Sequence, residues 1–370
     1  MKKILFGITS LSLGGAERVL VDIVNKLQND YDITIFTIYS KGEMEKQLNS
    51  NVKVQSLINK RFNELNKFQK IIISLKLLLF KKSIYNKKVK KNYDVEIAFL
   101  EGPITRLFAC ENENTTKIAW IHNDISKVFG TGIKASIKKK TDKKNYEKYS
   151  KLIFVSRDNK DKFEEVYNLD NDKYVIYNYI DINSVLEKAN KNVNIPFNEN
   201  DFNIVTVARL VEQKAIDRLV KVHSKLIKNG LKHKIYVIGD GPERENIENI
   251  IKQYNVQNSF FLLGSKENPY PYIKAADCFA LLSYFEGYGM VLIEAQILEK
   301  FIIITDTAAR ETMQNYNNRM IVGNNEEDIY IGLSKLIKNK EEYLKTNYNM
   351  NKYENSNIIK QIKNLIEEYI

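Results

Sequence analysis

The sequence predicts an α/β protein built from two doubly wound parallel-sheet domains that face a central cleft. Three observations predict it. The chain has 370 residues, room for two ordinary domains that could each bury a core. Short apolar runs alternate with helix-spaced segments, the pattern of a parallel sheet covered on both faces. That alternation decays into polar residues with Pro196 around 178–200 and then restarts. The expected division is 1–180 and 181–350, with the ligand cleft at the carboxyl ends of the strands.

Taken in order, residues 3–9 read as a strand, Gly14-Gly15 as a turn, and Ala16, Leu20, Ile23, Val24 and Leu27 as one helix face. Strands follow at 33–38, 52–57, 95–100, 117–121 and 152–155, then a helix at 158–166 and a strand at 174–177. In the second half, strands at 203–207, 234–238, 260–263, 278–282 and 301–305 alternate with helices at 216–228, 243–253, 271–276 and 290–300. Helices are expected to fill the tail.

Composition narrows the class. Cys110 and Cys278 both sit in apolar stretches, which suggests a reducing compartment with no disulfide framework and no zinc spacing. Met1-Lys2-Lys3 with Ile4 to Leu13 imitates a signal peptide, but Thr9, Ser10 and Ser12 interrupt it and a glycine turn and helix follow. The longest apolar run, Ile71 to Phe80, is ten residues and includes Lys76, too short to span a membrane. The expectation is a cytoplasmic protein, peripheral on the inner face of the plasma membrane. The net charge of +11 is concentrated at one end: +12 in residues 1–180 and −1 in 181–370, which points to an anionic partner for the first half.

Chemistry concentrates at strand-to-helix turns. In Ser283 to Ala295, two glycines join a strand to a helix, so backbone amides and the helix dipole could meet an anion. Glu286 and Glu294 bracket that turn and read as acceptors for sugar or ribose hydroxyls; the other reading is an exposed cap with a surface carboxylate. Gly14-Gly15-Ala16-Glu17-Arg18 is either a phosphate-type turn or a tight turn only. It lacks the three-glycine dinucleotide fingerprint, and no acid ends the second strand, which argues against a nicotinamide enzyme. Arg209 and Lys214 could converge on a diphosphate or be two solvated cations. His122 ends a strand at the cleft edge, where a lone histidine is usually structural, and His223 and His233 read as structural too. Asp30-Tyr31-Asp32 and Asp170-Asn171-Asp172 fall in helix-to-strand turns, the wrong edge for catalysis, so no metal is expected.

Lys60 to Lys91 holds eleven Lys/Arg against Glu64, with Leu65, Phe68, Ile72, Leu75 and Leu79 sharing a helical face with Ile71 and Leu78. Such a segment could lie on an anionic membrane surface or pack as an ordinary helix. A second cluster, Lys134 to Lys151, adds eight lysines. Nucleic acid is not expected: arginines are few and no aromatics interleave with the charges.

Together these motifs resemble the retaining glycosyltransferases of family 4, with the two-Rossmann-domain GT-B fold. Glu286 and Glu294 form the Glu-x7-Glu signature, supported by Arg209/Lys214, Gly239-Asp240-Gly241-Pro242 and Gly14-Gly15-Ala16-Glu17-Arg18. The resemblance implies that Arg209 and Lys214 hold the donor diphosphate, that Glu286 contacts the donor sugar and that Glu294 binds the ribose. Gly239 and the amides of Gly287, Tyr288, Gly289 and Met290 would lie near the donor, with Gly14 and Gly15 approaching its diphosphate. His122 would meet the sugar near the reacting carbon, and Glu17 and Arg18 would lie on the acceptor side. Ser156, Arg157 and Glu311 fall at family positions of less defined role, and the last helix, 351–370, would cross back onto the first domain. Ala208 and Ala215 depart from usual glycines, and Tyr177 to Asp181 from the usual linker turn.

The implied activity is metal-independent retaining transfer, without a cofactor, from a UDP-sugar to a hydroxyl of a lipid-linked or polyanionic glycan, as in surface-polysaccharide or capsule assembly. The alternatives are an epimerase or phosphorylase on this scaffold, or a non-catalytic partner subunit.

Overall fold

The computed structural model describes residues 1–90, 92–128, 133–198, 200–344 and 355–368. Lys91, at the end of the basic stretch, and 351–354 and 369–370 of the expected closing helix lie outside the described residues. The chain divides into two units, Met1–Ile180 with Glu354–Ile370, and Asp181–Tyr353.

The first unit runs β1 (Lys3–Ile8), α1 (Gly15–Leu27), β2 (Asp32–Tyr39), β3 (Lys53–Ile58), α2 (Lys67–Leu79), α3 (Lys81–Ile84) and β4 (Val95–Ala98). It continues through α4 (Pro103–Phe108), β5 (Thr116–Ile121), α5 (Ile125–Val128), α6 (Ile133–Tyr146), β6 (Lys151–Phe154), α7 (Arg157–Tyr167) and β7 (Asp172–Val175). Its strands form one parallel sheet in the order β3-β2-β1-β4-β5-β6-β7. The second unit runs α8 (Ile182–Ala189), β8 (Asn203–Val207), α9 (Ile216–Lys228), β9 (Lys234–Ile238), α10 (Arg244–Gln253), β10 (Phe260–Leu262) and α11 (Tyr270–Ala275). There follow β11 (Cys278–Leu281), α12 (Met290–Ile297), β12 (Phe301–Thr305), β13 (Arg319–Val322), α13 (Glu326–Lys338) and α14 (Lys340–Leu344). These strands are also parallel, in the order β10-β9-β8-β11-β12-β13. The chain then returns to the first unit with α15 (Asn355–Glu367).

Central strands such as β4, β11 and β12 are buried throughout, because helices cover both faces; this is why β11 and β12 read as apolar runs, while β4 carries the paired Glu96. In each sheet the strand order reverses once, at β1/β4 and at β8/β11. Connections leave such a point in opposite directions and open a crevice at the carboxyl ends of the two strands.

Two elements fall where the sequence predicts otherwise. β13 lies in the tail expected to be helical; it is a four-residue edge strand with Ile321 exposed, so no continuous apolar run marks it. α8 occupies the polar boundary stretch, capped by the Asp181 side chain, which accepts from the Ser184 amide at 3.1 Å, and buries only Val185 and Ala189. The predicted face of the basic segment is also rotated. Leu65 is buried in the core and Ile72 is half-buried, while Phe68, Ile71, Leu75, Leu78 and Leu79 are exposed.

Lysines fasten α15 by its carboxyl end. Lys2 Nζ donates to the Ile366 carbonyl at 3.1 Å, and Lys151, 1 % exposed, donates to the Leu365 carbonyl at 3.1 Å and pairs with Glu368 at 2.8 Å. Cations suit a helix C-terminus, where carbonyls lack partners. Ile358, Ile362, Leu365 and Ile366 supply the buried face.

A buried ion pair lies at the amino ends of β4 and β5, away from the crevice. Lys117 Nζ sits 2.7 Å from Glu96 Oε2 and donates to the Phe108 carbonyl at 2.8 Å, while Tyr85 Oη donates to Glu96 at 2.7 Å. Burial pulls the Lys117 ammonium below its ordinary range and the Glu96 charge opposes that shift. Lys117→Met leaves a buried carboxylate without its cation, so urea unfolding should show a loss of about 3–5 kcal/mol.

His223 and His233 are core groups. His223 Nδ1 and His233 Nε2 are 2.8 Å apart, His223 Nε2 meets Ser259 Oγ at 2.8 Å, and His233 Nδ1 meets the Leu231 carbonyl at 2.8 Å. Burial lowers their pKa values to about 2 and about 4. Both stay neutral in the fold, whereas unfolded imidazoles bind a proton near pH 6.5. Below that pH the unfolded chain takes up more protons than the native one, so stability present at neutral pH is lost toward acid. The unfolding free energy from urea titrations should fall between pH 7 and pH 5, by about 2 kcal/mol for each buried imidazole. A flat profile would mean these rings are not buried and neutral.

Candidate active site

The β8 and β11 ends of the second unit bring Lys214 and Glu286 together. The loop after β8 carries Arg209 and then a short turn at Glu212–Lys214. The loop after β11, Leu282 to Gly289, leads into α12. Lys214 Nζ lies 2.6 Å from Glu286 Oε1, with Glu286 6 % exposed. Arg209 is exposed and has no ion-pair partner among the described residues. The two cations therefore differ: Lys214 is engaged by a carboxylate and Arg209 faces solvent.

Backbone contacts set these loops. The Leu210 amide donates to the Asp240 carbonyl at 3.0 Å, and the Ala208 amide to the Ile238 carbonyl at 3.0 Å. Gly239 has φ +143°, and a Cβ there would overlap the Ala208 carbonyl oxygen, so the Gly239 turn can press against the Arg209 loop only without a side chain. Gly289 (φ +70°) turns the chain into α12, placing Met290 at its first position. Ala215, at the start of α9, takes φ 50° where glycine costs least.

The 282–288 loop hangs from side chains on neighbouring elements. Gln213 Nε2 donates to the Phe285 carbonyl at 2.9 Å, Asn324 Nδ2 to the Tyr284 carbonyl at 2.7 Å and Thr305 Oγ1 to the Ser283 carbonyl at 2.7 Å. Arg218, 3 % exposed, donates to the Leu282 carbonyl at 2.6 Å and to Asn324 Oδ1 at 2.9 Å, with its guanidinium 4.3 Å from the Tyr284 ring centroid. The motif reading missed Arg218. Its signal was present: on α9 it shares an i, i+4, i+8 row with the buried Val222 and Leu226.

Glu294 sits on α12, 5 % exposed, and accepts from the buried Tyr270 hydroxyl on α11 at 3.0 Å. It is a buried carboxylate held by a tyrosine hydroxyl. Tyr288 is buried, and Gly287 and Met290 are half-buried.

In the first unit, the crevice edge holds the other predicted residues. Gly14 caps α1 and Gly15 is its first residue, and both are exposed. The Glu17 carboxylate packs against Gly14 and bonds its own amide, and burial raises its pKa. The helix N-terminus expected to meet phosphate is thus covered by a side chain of the chain itself. Arg18 lies 3.9 Å from Asp22. His122 follows β5, 8 % exposed, with its ring 4.7 Å from Phe99 and stacked on Trp120 at 6.2 Å. Burial lowers its pKa to about 3, and Nε2 has no hydrogen-bond partner among the described residues. Its backbone is held by Glu101, after β4, whose Oε1 accepts from the His122 and Asn123 amides at 2.5 and 2.6 Å. Ser156 caps α7, accepting from the Asn159 amide at 3.1 Å, and Asn159 Nδ2 donates to the His122 carbonyl at 3.2 Å. Among the described residues, no group of three or more His, Cys, Asp and Glu is placed to hold a metal ion.

Residues 187–353 match the family described as Glycosyl transferases group 1. The chain is 25 % identical over 353 residues (91 % of this chain, 90 % of the relative) to a Campylobacter jejuni N-acetylgalactosamine-N,N'-diacetylbacillosaminyl-diphospho-undecaprenol 4-alpha-N-acetylgalactosaminyltransferase. It is 27 % identical over 368 residues (93 % and 91 %) to another C. jejuni enzyme, the GalNAc-alpha-(1->4)-GalNAc-alpha-(1->3)-diNAcBac-PP-undecaprenol alpha-1,4-N-acetyl-D-galactosaminyltransferase. Among solved structures it resembles Anabaena HepE in complex with UDP and glucose, at a TM-score of 0.76 and 16 % identity over 100 % of both chains. The fold is GT-B. The family match lies within the second unit, and the likeness in fold spans the whole chain.

Arg218→Met removes the donor from the Leu282 carbonyl and from Asn324, which itself holds the 282–288 loop. Unsatisfied buried acceptors cost about 1–3 kcal/mol. Urea unfolding should show a loss in that range, and Arg218→Lys, which lacks the forked guanidinium, should recover only part of it.

Proposed function

We propose that this glycosyltransferase is a retaining, metal-independent member of family 4 that moves a sugar from a UDP-sugar to a hydroxyl of a lipid-linked glycan in cell-surface glycan biosynthesis. The observation that carries the reading is the Lys214–Glu286 pair, 2.6 Å apart at the β8/β11 reversal, inside the family-matching region. A cation and a hydroxyl acceptor in contact suit a donor whose diphosphate and sugar are adjacent. The C. jejuni relatives are named for diphospho-undecaprenol acceptors, and the HepE structure holds UDP, which supports this choice of acceptor and donor.

In this mechanism the bond between the anomeric carbon and the phosphate oxygen breaks as the acceptor oxygen attacks the same face. The acceptor proton passes to the leaving phosphate oxygen. Arg209 and Lys214, with the amino end of α12, would neutralise the charge of the departing diphosphate, which removes the need for a divalent ion. Glu286 would accept from sugar hydroxyls once Lys214 turns to phosphate, and Glu294 would accept from the ribose in place of Tyr270. Gly239, Gly287 and Gly289 would let the backbone come close to the donor. On the first unit, His122 offers an uncharged Nε2 for a sugar hydroxyl, Gly14 and Gly15 would meet phosphate if Glu17 moved aside, and Glu17 and Arg18 would face the acceptor. The protein would need no cofactor.

Thermal unfolding with UDP, GDP, ADP and CMP, each with and without EDTA, tests the donor class. Saturating UDP should raise the midpoint by roughly 5–10 °C, indifferent to EDTA, and much less in Glu294→Ala. Lys214→Ala and Glu286→Ala should each lower donor-dependent transfer by about 10²–10³-fold. Undiminished turnover in both would remove the site assignment. UDP-sugar interconverted without an acceptor would make the enzyme an epimerase.

A further inference from the structure

α2 presents a surface that the transfer reaction leaves unused. The helix has a defined start, because Asn66 and Gln69 close a reciprocal cap: the Gln69 amide donates to Asn66 Oδ1 at 2.8 Å and the Asn66 amide to Gln69 Oε1 at 3.1 Å. No residue of α2 is fully buried; Ile73 and Leu77 are partly buried against the core of the first unit. Phe68, Ile71, Leu75, Leu78 and Leu79 are 70, 57, 49, 57 and 69 % exposed, and Phe80 follows at 59 %. A surface helix normally turns its larger apolar face inward. Here the larger face points outward.

At 100° per residue the five exposed side chains fall within an arc of about 100°. Lys67 borders that arc on one side and Lys76 on the other. Across residues 60–91 there are eleven Lys/Arg and a single acid, Glu64, and Lys82, Lys87, Lys88 and Lys90 beyond the helix are exposed. Apolar surface framed by cations matches the boundary of an anionic bilayer, where acyl chains meet phosphate head groups. A second copy of this chain fits poorly, since it would bring two lysine-rich segments together with one acid each to offset them.

We propose that α2 docks the protein on an anionic lipid surface. The helix lies in the membrane plane, with Phe68, Ile71, Leu75, Leu78 and Leu79 at the acyl boundary and Lys67 and Lys76 reaching back to head groups. Its 13 residues extend about 20 Å, short of the ~30 Å hydrocarbon core, so the helix lies on the bilayer and does not cross it. Among the described residues no helix is long and apolar enough to cross a membrane. The docking does not depend on which donor the enzyme uses.

The test is cosedimentation of the full chain with phosphatidylcholine vesicles, alone or with about 30 % phosphatidylglycerol, at low and raised salt. It includes an Ile71→Ser/Leu75→Ser double variant and a Phe68→Trp reporter, read above the buried Trp120. Partitioning should be at least about tenfold stronger on the anionic vesicles, weaken with salt, and fall at least about tenfold in the double variant. That variant should unfold at the wild-type temperature and keep the wild-type response to UDP. The Phe68→Trp emission should shift to the blue on anionic vesicles, a readout that needs no second substitution in α2. Equal recovery of wild type on neutral and anionic vesicles would overturn the proposal. So would an unshifted reporter, or a dimer that the double substitution abolishes while anionic vesicles capture no wild-type protein.

Discussion

The Lys214 ammonium and the Glu286 carboxylate join loops 72 residues apart in sequence. A partly buried charge cannot stand alone without a large desolvation cost, so each group is held where it is by the other. The arrangement of the second unit follows from keeping that pair aligned. Gln213 and Thr305, with Asn324 and Arg218, take the carbonyls of the 282–288 loop, and Gly239 lets its turn press on the loop that bears Arg209. Replacing Arg218 or Thr305 by an apolar residue would leave a buried carbonyl, of Leu282 or Ser283, unmet.

The same topology serves the first unit differently. There the reversal lies at β1/β4, and the helix after β1 is covered by Glu17, its own first-turn carboxylate. His122 is kept neutral by burial between Phe99 and Trp120, and its backbone is fixed by Glu101 from the adjacent strand end. A neutral imidazole with an unengaged nitrogen is a hydrogen-bonding group, not a charge. The structural polar work of this unit, Glu96–Lys117 and the lysines that hold α15, sits at the amino ends of the strands. The two edges of one sheet thus separate stability from chemistry.

Much of this was legible beforehand. The strands with both faces covered are mostly apolar, so β1, β8, β11 and β12 stood out, and glycine turns marked several of their ends. β13 did not, because an edge strand lacks that signal, and α8 did not, because two buried residues make no periodic pattern. The basic segment gave its composition but not its facing. Spacing alone grouped Leu65 and Ile72 with Phe68, whereas packing took Leu65 into the core.

The order of strands and helices, the family motifs and the uneven charge follow from the sequence alone, because each depends on residue type and local spacing. What Lys214 touches does not. Its nearness to Glu286, the turn of Glu294 toward Tyr270, and the support of Arg218 beneath the loop are contacts between distant segments. So is the choice of which α2 face meets solvent. Local rules fix a periodicity; only the burial of one face against the rest of the chain decides its direction.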